Sequence, residues 1–366
     1  MKFVKLLFIV LLMTLLLAGC GKEQEPEDQI IDIDASEALT SGEPQELVVM
    51  THDSFSVSES VIAAFEEANN ATVSFVKSGD AGAALNRAIL SKESPIADVF
   101  FGVDNTFLSR ALDEEIFEPY DSPNLINIQE GIPLVEGFYV VPVDFGDVCI
   151  NYDKNYFWMN PLFIPQTLED FTKSEYSGLL VVENPATSSP GLAFMLATIA
   201  HFGEDGYLEY WADLRENGLV VVNDWETAYY GNFSRYAGPG GQPMVVSYST
   251  SPAAEWLFSE KDIGESPTGS IFGPDTCYRQ FEYAGILKGT QNRELAEAFI
   301  DFLLDEEFQT DLIMQMFVYP VNQEVDLPDE FNDVSLTTEQ PVMLDPDYIA
   351  ENRDRWIQEW DETVLR

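Results

Sequence analysis

Acidic side chains and an imidazole follow three predicted strands in the N-terminal third of the chain, at the point where each strand ends. These side chains are His52 and Asp53 after the first strand, Asp80 after the second and Asp104 after the third. Because the carboxyl ends of parallel strands meet at one edge of a sheet, where ligands bind, we expect these groups to lie close together. Aromatic residues make up 13% of the chain, which is ample material for cores and for a stacking site.

The other reactive side chains narrow the chemistry. The chain has two histidines, His52 and His201, which excludes a His-rich zinc site and any mechanism that needs several imidazoles. Beyond Cys20, the chain has two further cysteines, Cys149 and Cys277. They could pair in an oxidising compartment, but the sequence does not show that they meet. With 18 Lys and Arg against 64 Asp and Glu, the chain is not suited to binding nucleic acid.

The elements that position these groups alternate between strand and helix. Strands predicted at 46–50, 71–76 and 97–102 have amphipathic helices between them, which is the pattern of a parallel α/β sheet. A second pattern of this kind begins near residue 178. It continues through a helix after Pro190, strands at 219–222, 244–248 and 281–287, and helices at 294–304 and 307–316.

The N-terminus predicts export. Lys2 and Lys5 precede an apolar run at 6–17, which is the plan of a secretory signal peptide occupying residues 1–19. The run is too short to span a bilayer comfortably as a permanent helix.

Cys20 is the predicted attachment point for lipid. Leu17, Ala18 and Gly19 before it look like a bacterial lipobox, in which small residues precede a cysteine that becomes lipidated and N-terminal. The alternative is ordinary cleavage, with the cysteine incidental. On the first interpretation, residues 20–45 are a lipidated cysteine and an acidic tether, and acyl chains anchor the protein to the cell membrane.

A series of short motifs runs along most of the remaining chain. They are THDSF at 51–55, FGVDN at 101–105, DFG at 144–146, NYDK at 151–154, NPATSSPG at 184–191, WETAY at 225–229, SYSTSP at 247–252 and YPV at 319–321. No single motif is decisive, but their joint order and spacing are specific. From residue 47 to about residue 360, the chain resembles the thiamine-binding proteins of ABC importers.

This resemblance implies an α/β fold of two lobes, the type II periplasmic-binding-protein fold, with two hinge-crossing segments. A length of roughly 320 residues beyond the tether also exceeds a comfortable single core. Residues 139–144 and 147–152 are predicted as two extended segments, with a bend at 144–146 between the lobes. The expected division is 46–144 plus 285–340 for lobe 1, 145–284 for lobe 2 and 341–366 for a C-terminal helical segment.

The resemblance also implies thiamine or a thiamine phosphate as the ligand. Thiamine carries a cationic thiazolium, an aminopyrimidine and a hydroxyethyl arm, so its pocket needs aromatic faces, carboxylate, and hydroxyl or backbone donors. The expected ligand-binding residues are His52, Asp53, Asp80, Asp104, Ser188, Trp225, Tyr229, Tyr248, Ser249 and Phe317.

The aromatic members of this set have a structural alternative. Trp225, Tyr248 and Phe317 each lie near an apolar segment and could instead be core residues. Phe317 and His52 stand where relatives often carry Trp and Tyr. We therefore expect weaker stacking at Phe317, while the imidazole of His52 can still stack or donate.

Two polar members could act as helix caps instead. Asp80 precedes a predicted helix, where capping would contribute about 1 kcal/mol. Ser188 also precedes a helix, whose free N–H groups suit the hydroxyl or a phosphate ester of thiamine but equally explain a capping serine.

The predicted function is an extracytoplasmic, lipid-anchored monomer that captures thiamine for an ABC transporter permease, without cofactor, metal or catalytic residue. A rival within binding proteins is a site for Fe(III) or another small cation such as a polyamine. Fe(III) sites of that class use adjacent tyrosines, and Tyr229 and Tyr230 are adjacent. However, the position expected for the iron tyrosines reads SYST at 247–250, which is a poor match because it contains a single tyrosine.

The rival from another class is an enzyme. Thiaminase I shares the fold and uses a cysteine nucleophile, so Cys149 is its candidate here. A nucleophilic cysteine needs a nearby base and a positive environment. Because Cys149 lies in an apolar strand of an acidic chain, the sequence favours a buried thiol or half of a disulfide.

Overall fold

The computed structural model describes residues 43–259, 264–334, 338 and 340–366. The predicted signal peptide, the predicted lipidation of Cys20 and most of the tether lie outside these residues. Within the described ranges, no helix is both long enough and apolar enough to cross a membrane.

The strands of the described residues join in one mixed sheet. They are β1 (Gln45–Thr51), β2 (Ala71–Lys77), β3 (Val99–Asp104), β4 (Phe117–Glu118), β5 (Val141–Asp153), β6 (Leu180–Glu183), β7 (Val220–Val222), β8 (Met244–Tyr248), β9 (Thr268–Ile271), β10 (Tyr278–Leu287) and β11 (Tyr319–Pro320). Their order is β2-β1-β3-β10-β5-β8-β6-β7, with β4 beside β10 and with β9 and β11 beside β5.

Two parallel groups of strands flank an antiparallel centre. β1 pairs in parallel with β2 and β3, and β6 pairs in parallel with β7 and β8. Between these groups, β5 and β10 run antiparallel to each other and to their neighbours β8 and β3. The predicted two-lobe α/β fold with two crossing segments is confirmed. The residue limits of the lobes stay a prediction.

β5 differs from its predicted form. It is one strand of 13 residues, not two segments with a bend at 144–146. Phe145, in the middle of the expected bend, pairs with Phe281 of β10 on one side and with Tyr319 of β11 on the other. Pairing on both sides keeps the backbone extended despite the glycine that follows.

Helices cover the sheet and its edges. They are α1 (Glu59–Asn69), α2 (Ala81–Leu90), α3 (Leu108–Asp113), α4 (Lys154–Met159), α5 (Ser189–Phe202), α6 (Tyr207–Glu216), α7 (Ser234–Ala237), α8 (Ser251–Leu257), α9 (Arg293–Leu303), α10 (Glu306–Met316), α11 (Asp329–Val334) and α12 (Pro346–Val364). Short 3₁₀ helices occupy Pro123–Asn127, Leu168–Thr172 and Ser174–Tyr176, and a π-helical turn occupies Thr227–Asn232. In α9, Leu295, Phe299 and Leu303 are buried at helical spacing, which directs this helix onto the sheet.

The start of α2 packs closely against the chain just before α5. The backbone N–H of Gly82 donates to the carbonyl of Thr187 at 3.1 Å. A Cβ at residue 82 would come within 2.9 Å of the Thr187 backbone, so this approach requires glycine. The contact brings Asp80, the N-cap of α2, beside the second parallel group of strands.

Cys149 of β5 and Cys277 form a disulfide, which answers the question that the sequence left open. The bridge joins positions 128 residues apart, so it closes a long loop and reduces the conformational freedom of the unfolded chain. Native disulfides typically contribute about 2 to 5 kcal/mol to the free energy of unfolding. The bridge therefore secures β5 to the start of β10 in the centre of the sheet.

Candidate ligand-binding site

A cavity of about 370 Å³ lies where the ends of β1 and β8 approach the middle of β5 and β10. Small-molecule sites typically enclose about 300 to 1,000 Å³. Seven of the ten predicted binding residues line this cavity: His52, Asp53, Asp80, Trp225, Tyr229, Tyr248 and Phe317. Residues that follow strands of both parallel groups therefore contribute to one site.

Trp225 forms part of the cavity wall and is fixed at its backbone and at its ring. Its backbone N–H donates to Asp80 Oδ2 at 3.1 Å, and its indole Nε1–H donates to Ser247 Oγ at 2.9 Å. The ring stacks on Tyr229, with centroids 5.0 Å apart and planes at 19°. An aromatic ring oriented in advance loses little freedom when a ligand binds.

Further tyrosines extend this aromatic wall. Tyr230 is nearly perpendicular to Trp225, at 5.6 Å and 81°, and packs against Tyr236 at 5.0 Å. Glu255, which is buried, accepts hydrogen bonds from the hydroxyls of Tyr229 at 3.0 Å and Tyr236 at 2.6 Å. Burial and the neighbouring Glu255 raise the pKa of Tyr229, so its phenol stays protonated.

Tyr248 lies across the backbone of β5. A Cβ at Gly146 would come within 3.2 Å of the Tyr248 ring, so glycine allows the ring to lie close to the strand. The side-chain amide of Gln280 donates to the Tyr248 hydroxyl at 3.2 Å. This second aromatic side chain is thereby held by β5 and β10 together.

Asp80 contributes to the fold and to the cavity. Its Oδ1 accepts from the N–H of Ala81 at 2.9 Å, which caps α2, while its Oδ2 accepts from Trp225. Burial raises the pKa of Asp80, although its hydrogen bonds and the nearby His52 act in the opposite direction. The capping interpretation offered by the sequence is therefore confirmed, and ligand contact by Asp80, which lines the cavity, stays a prediction.

His52, Glu282 and Asp144 form a buried cluster in the cavity wall. His52 Nε2 lies 3.2 Å from Glu282 Oε1, and Asp144 is the direct cross-strand partner of Glu282. Burial lowers the pKa of His52 and raises that of Glu282 to about 8. Burial and the adjacent Glu282 raise the pKa of Asp144 well above its usual range. The imidazole is therefore neutral near neutral pH, and the carboxyl groups resist ionisation until a positive charge is close.

Acidic groups outnumber basic groups around the cavity. Its carboxyl groups are those of Asp53, Asp80, Asp144, Glu226, Glu255 and Glu282. Lys77 also lines the cavity, but its ammonium donates to the backbone carbonyl of Asp53 at 2.7 Å. A concave site with this excess of carboxyl groups over basic groups and with aromatic faces favours a cation, even with Glu255 paired with Arg235.

Three of the predicted binding residues lie behind the cavity wall. Asp104 is fully buried and accepts hydrogen bonds from Thr106 Oγ1 at 2.5 Å and from Ser189, which does line the cavity. Ser188 is fully buried, and Ser249 borders a neighbouring cavity instead. The geometry thus gives no support for direct ligand contact by Asp104, Ser188 or Ser249. Ser189, which was not among the predicted residues, lines the cavity at the start of α5, and its hydroxyl donates to Asp104.

The cavity also contains residues that the sequence did not predict to bind ligand. The sequence contained a signal for Glu282, which is the single acidic residue of β10. Burying a carboxyl group in a strand costs free energy unless the group is paired or hydrogen-bonded. Glu255 is a similar isolated acid among apolar residues of α8. Tyr236 and Lys77 carried no such signal, since a surface tyrosine or lysine is ordinary.

Comparison with known proteins agrees with this geometry. Residues 94–352 match the family described as bacterial extracellular solute-binding protein. This chain belongs to the bacterial extracellular solute-binding proteins.

Individual relatives include thiamine-binding proteins. The chain is 30% identical to the thiamine-binding periplasmic protein of Escherichia coli over 325 residues, which cover 87% of this chain and 94% of the relative. It is 29% identical to the thiamine-binding periplasmic protein of Brucella suis, covering 86% and 90%. A solved structure described as a periplasmic thiamin binding protein matches with a TM-score of 0.78 at 27% identity, covering 89% of this chain and 98% of that chain. The predicted resemblance to the thiamine-binding family is confirmed.

The geometry weakens both rival interpretations of this solute-binding protein. Cys149, the candidate nucleophile, is fully buried in its disulfide with Cys277. Tyr229, one of the adjacent tyrosines considered for Fe(III), is buried and its hydroxyl donates to Glu255.

Proposed function

We propose that this solute-binding protein captures thiamine, or a thiamine phosphate, outside the cytoplasm and delivers it to the permease of an ABC importer. The observation that carries the proposal is Trp225, which Asp80 and Ser247 fix in the wall of an acidic cavity of small-molecule size. The relatives that align over most of the chain are named for thiamine binding, which supports the same ligand here.

The chemistry of thiamine matches the side chains of the cavity. Its thiazolium ring is a flat cation, to which the faces of Trp225 and Tyr248 offer cation–π contacts of about 0.5 to 2 kcal/mol each. Its aminopyrimidine carries donors and acceptors that suit Asp80 and Glu282. The hydroxyl of Ser189 is a partner for the hydroxyethyl arm.

Capture and delivery follow from a shift between open and closed forms. Ligand contacts with both lobes favour the closed form, which then docks on the permease. Lipid on Cys20 would keep the protein, as a monomer, at the membrane where the permease lies. We propose binding without catalysis, and the disulfide of Cys149 supports this because the candidate nucleophile of the enzyme rival is not a free thiolate.

Calorimetric and fluorescence titrations distinguish this function from its rivals. Thiamine should bind with a micromolar or lower Kd and quench tryptophan fluorescence, because Trp225 lines the site. Ferric citrate and spermidine should produce no binding heat at the same concentrations. A parallel titration with thiamine monophosphate compares the Kd of the phosphate ester with that of free thiamine. Absence of both heat and quenching with micromolar thiamine would refute the proposal.

A further inference from the structure

Asp144 and Glu282 place two carboxyl groups face to face in the wall of the cavity. They are direct partners in the antiparallel register of β5 and β10, so their side chains project from the same face of the sheet. Their exposed fractions are 3% and 7%, and both residues line the cavity. The pairing register of β5 and β10 shifts directly after Glu282, where Val143 of β5 is the extra residue, and β-bulges of this kind are common next to functional sites.

Two carboxyl groups in this arrangement cannot both ionise unless a cation is near. Like charges in a buried site repel strongly, so such a pair holds a proton that belongs to both groups. Asp144 hydrogen-bonds Glu282, the other carboxyl group of the pair, and its buried Oδ2 has no other partner among the described residues. A second negative charge would therefore be buried unpaired, which is strongly destabilising.

The groups that face the pair from neighbouring elements are mostly acidic or neutral. They are His52 and Asp53 after β1, Lys77 at the end of β2, Asp80 before α2, Asp104 at the end of β3 and Tyr248 at the end of β8. Lys77 is the lysine of this group, and its ammonium bonds the backbone carbonyl of Asp53 and neither carboxyl of the pair. These surroundings favour retention of the proton.

We propose that the Asp144–Glu282 pair carries a proton in the free protein and releases it when the cation of the ligand binds, so that capture exchanges a proton for a cation. The inference rests on the proposed function, because it takes thiamine as that cation. The O–H bond of the carboxylic acid breaks and its proton passes to solvent. The carboxylate that remains interacts with the thiazolium by charge alone, without a new covalent bond.

The direction of the pH dependence follows from the free protein. Burial raises the pKa of Glu282 to about 8, and a cation beside the pair favours the carboxylate and lowers this pKa in the complex. Between the two values, binding releases protons, and affinity rises with pH by up to about tenfold per unit. Affinity levels off once the pH exceeds the value at which the free pair loses its proton.

Calorimetry in buffers of different ionisation enthalpy measures the exchange directly. Thiamine binding to the unchanged protein near neutral pH should release about one proton. Glu282→Gln and Asp144→Asn, which keep side-chain size, should each release less than half as much. Glu115→Gln is the matched control because Glu115 is 80% exposed and does not line the cavity, and its proton release should equal that of the unchanged protein.

The same measurements define the results that overturn the inference. Thiamine binding with no proton release, or equal release by the unchanged protein and both carboxyl variants, would refute it while leaving the proposed function intact. Release that survives in both carboxyl variants but disappears in His52→Gln would place the proton on the imidazole and also refute it. A complete lack of thiamine binding by the folded, unchanged protein is a different outcome, and it would refute the proposed function together with this inference.

Discussion

Replacing Trp225 with alanine should weaken thiamine binding roughly 30-fold, or about 2 kcal/mol, and leave the fold intact. The indole provides a cavity wall whose orientation is set by Asp80, Ser247 and the stacked Tyr229. Its removal eliminates the cation–π surface and frees the neighbouring ring. The side chain is only half-buried, so the cost to the core is limited. Calorimetric Kd values, with circular dichroism as a check of the fold, measure the effect.

Trp158 offers a matched control for this substitution. It is 84% exposed and does not line the cavity, so Trp158→Ala should bind thiamine as the unchanged protein does. An unaltered Kd in Trp225→Ala would remove Trp225 from the site and restore its alternative interpretation as a packing residue.

A larger loss, roughly 100-fold, is expected for Asp80→Asn. The substitution removes a negative charge from the cavity and one of the two acceptor oxygens that bond Ala81 and Trp225. Asparagine caps helices about as well as aspartate, so the free energy of unfolding should fall by less than about 1 kcal/mol. Comparing Kd with thermal unfolding therefore separates recognition of the ligand from capping of α2.

Asp305 provides the corresponding control at another helix. It caps α10 by accepting from the N–H of Phe308 at 3.1 Å, and it does not line the cavity. Asp305→Asn should keep full affinity. If Asp80→Asn also kept full affinity, Asp80 would be a capping residue without a part in binding the cation.

The fold was predictable because its signals are local. Alternation of apolar strands with amphipathic helices indicated the parallel groups, and polar residues after strands indicated the edge at which ligand binds. His52 and Asp80 line the cavity for that reason. Asp104 also follows a strand but does not line the cavity, because Thr106 and Ser189 supply hydrogen bonds that hold its carboxylate behind the wall.

Pairing across strands could not be predicted in the same way. The Asp144–Glu282 contact depends on the register of strands that are far apart in sequence, and a shift of one residue would turn one of the side chains to the other face of the sheet. The unbroken course of β5 through Phe145 depends on partners from β10 and β11. The position of Tyr236 depends on α7, a short helix whose sequence carries no strong signal of its own.

A structure of the complex with thiamine tests the central claim, that this cavity receives the thiamine cation, most directly. The account predicts the thiazolium within about 6 Å of the centroid of Trp225 or Tyr248. It also predicts the aminopyrimidine in hydrogen-bonding contact with Asp80 or Glu282. Thiamine bound outside the cavity, or bound there with its cation away from these aromatic faces and carboxyl groups, would contradict the account.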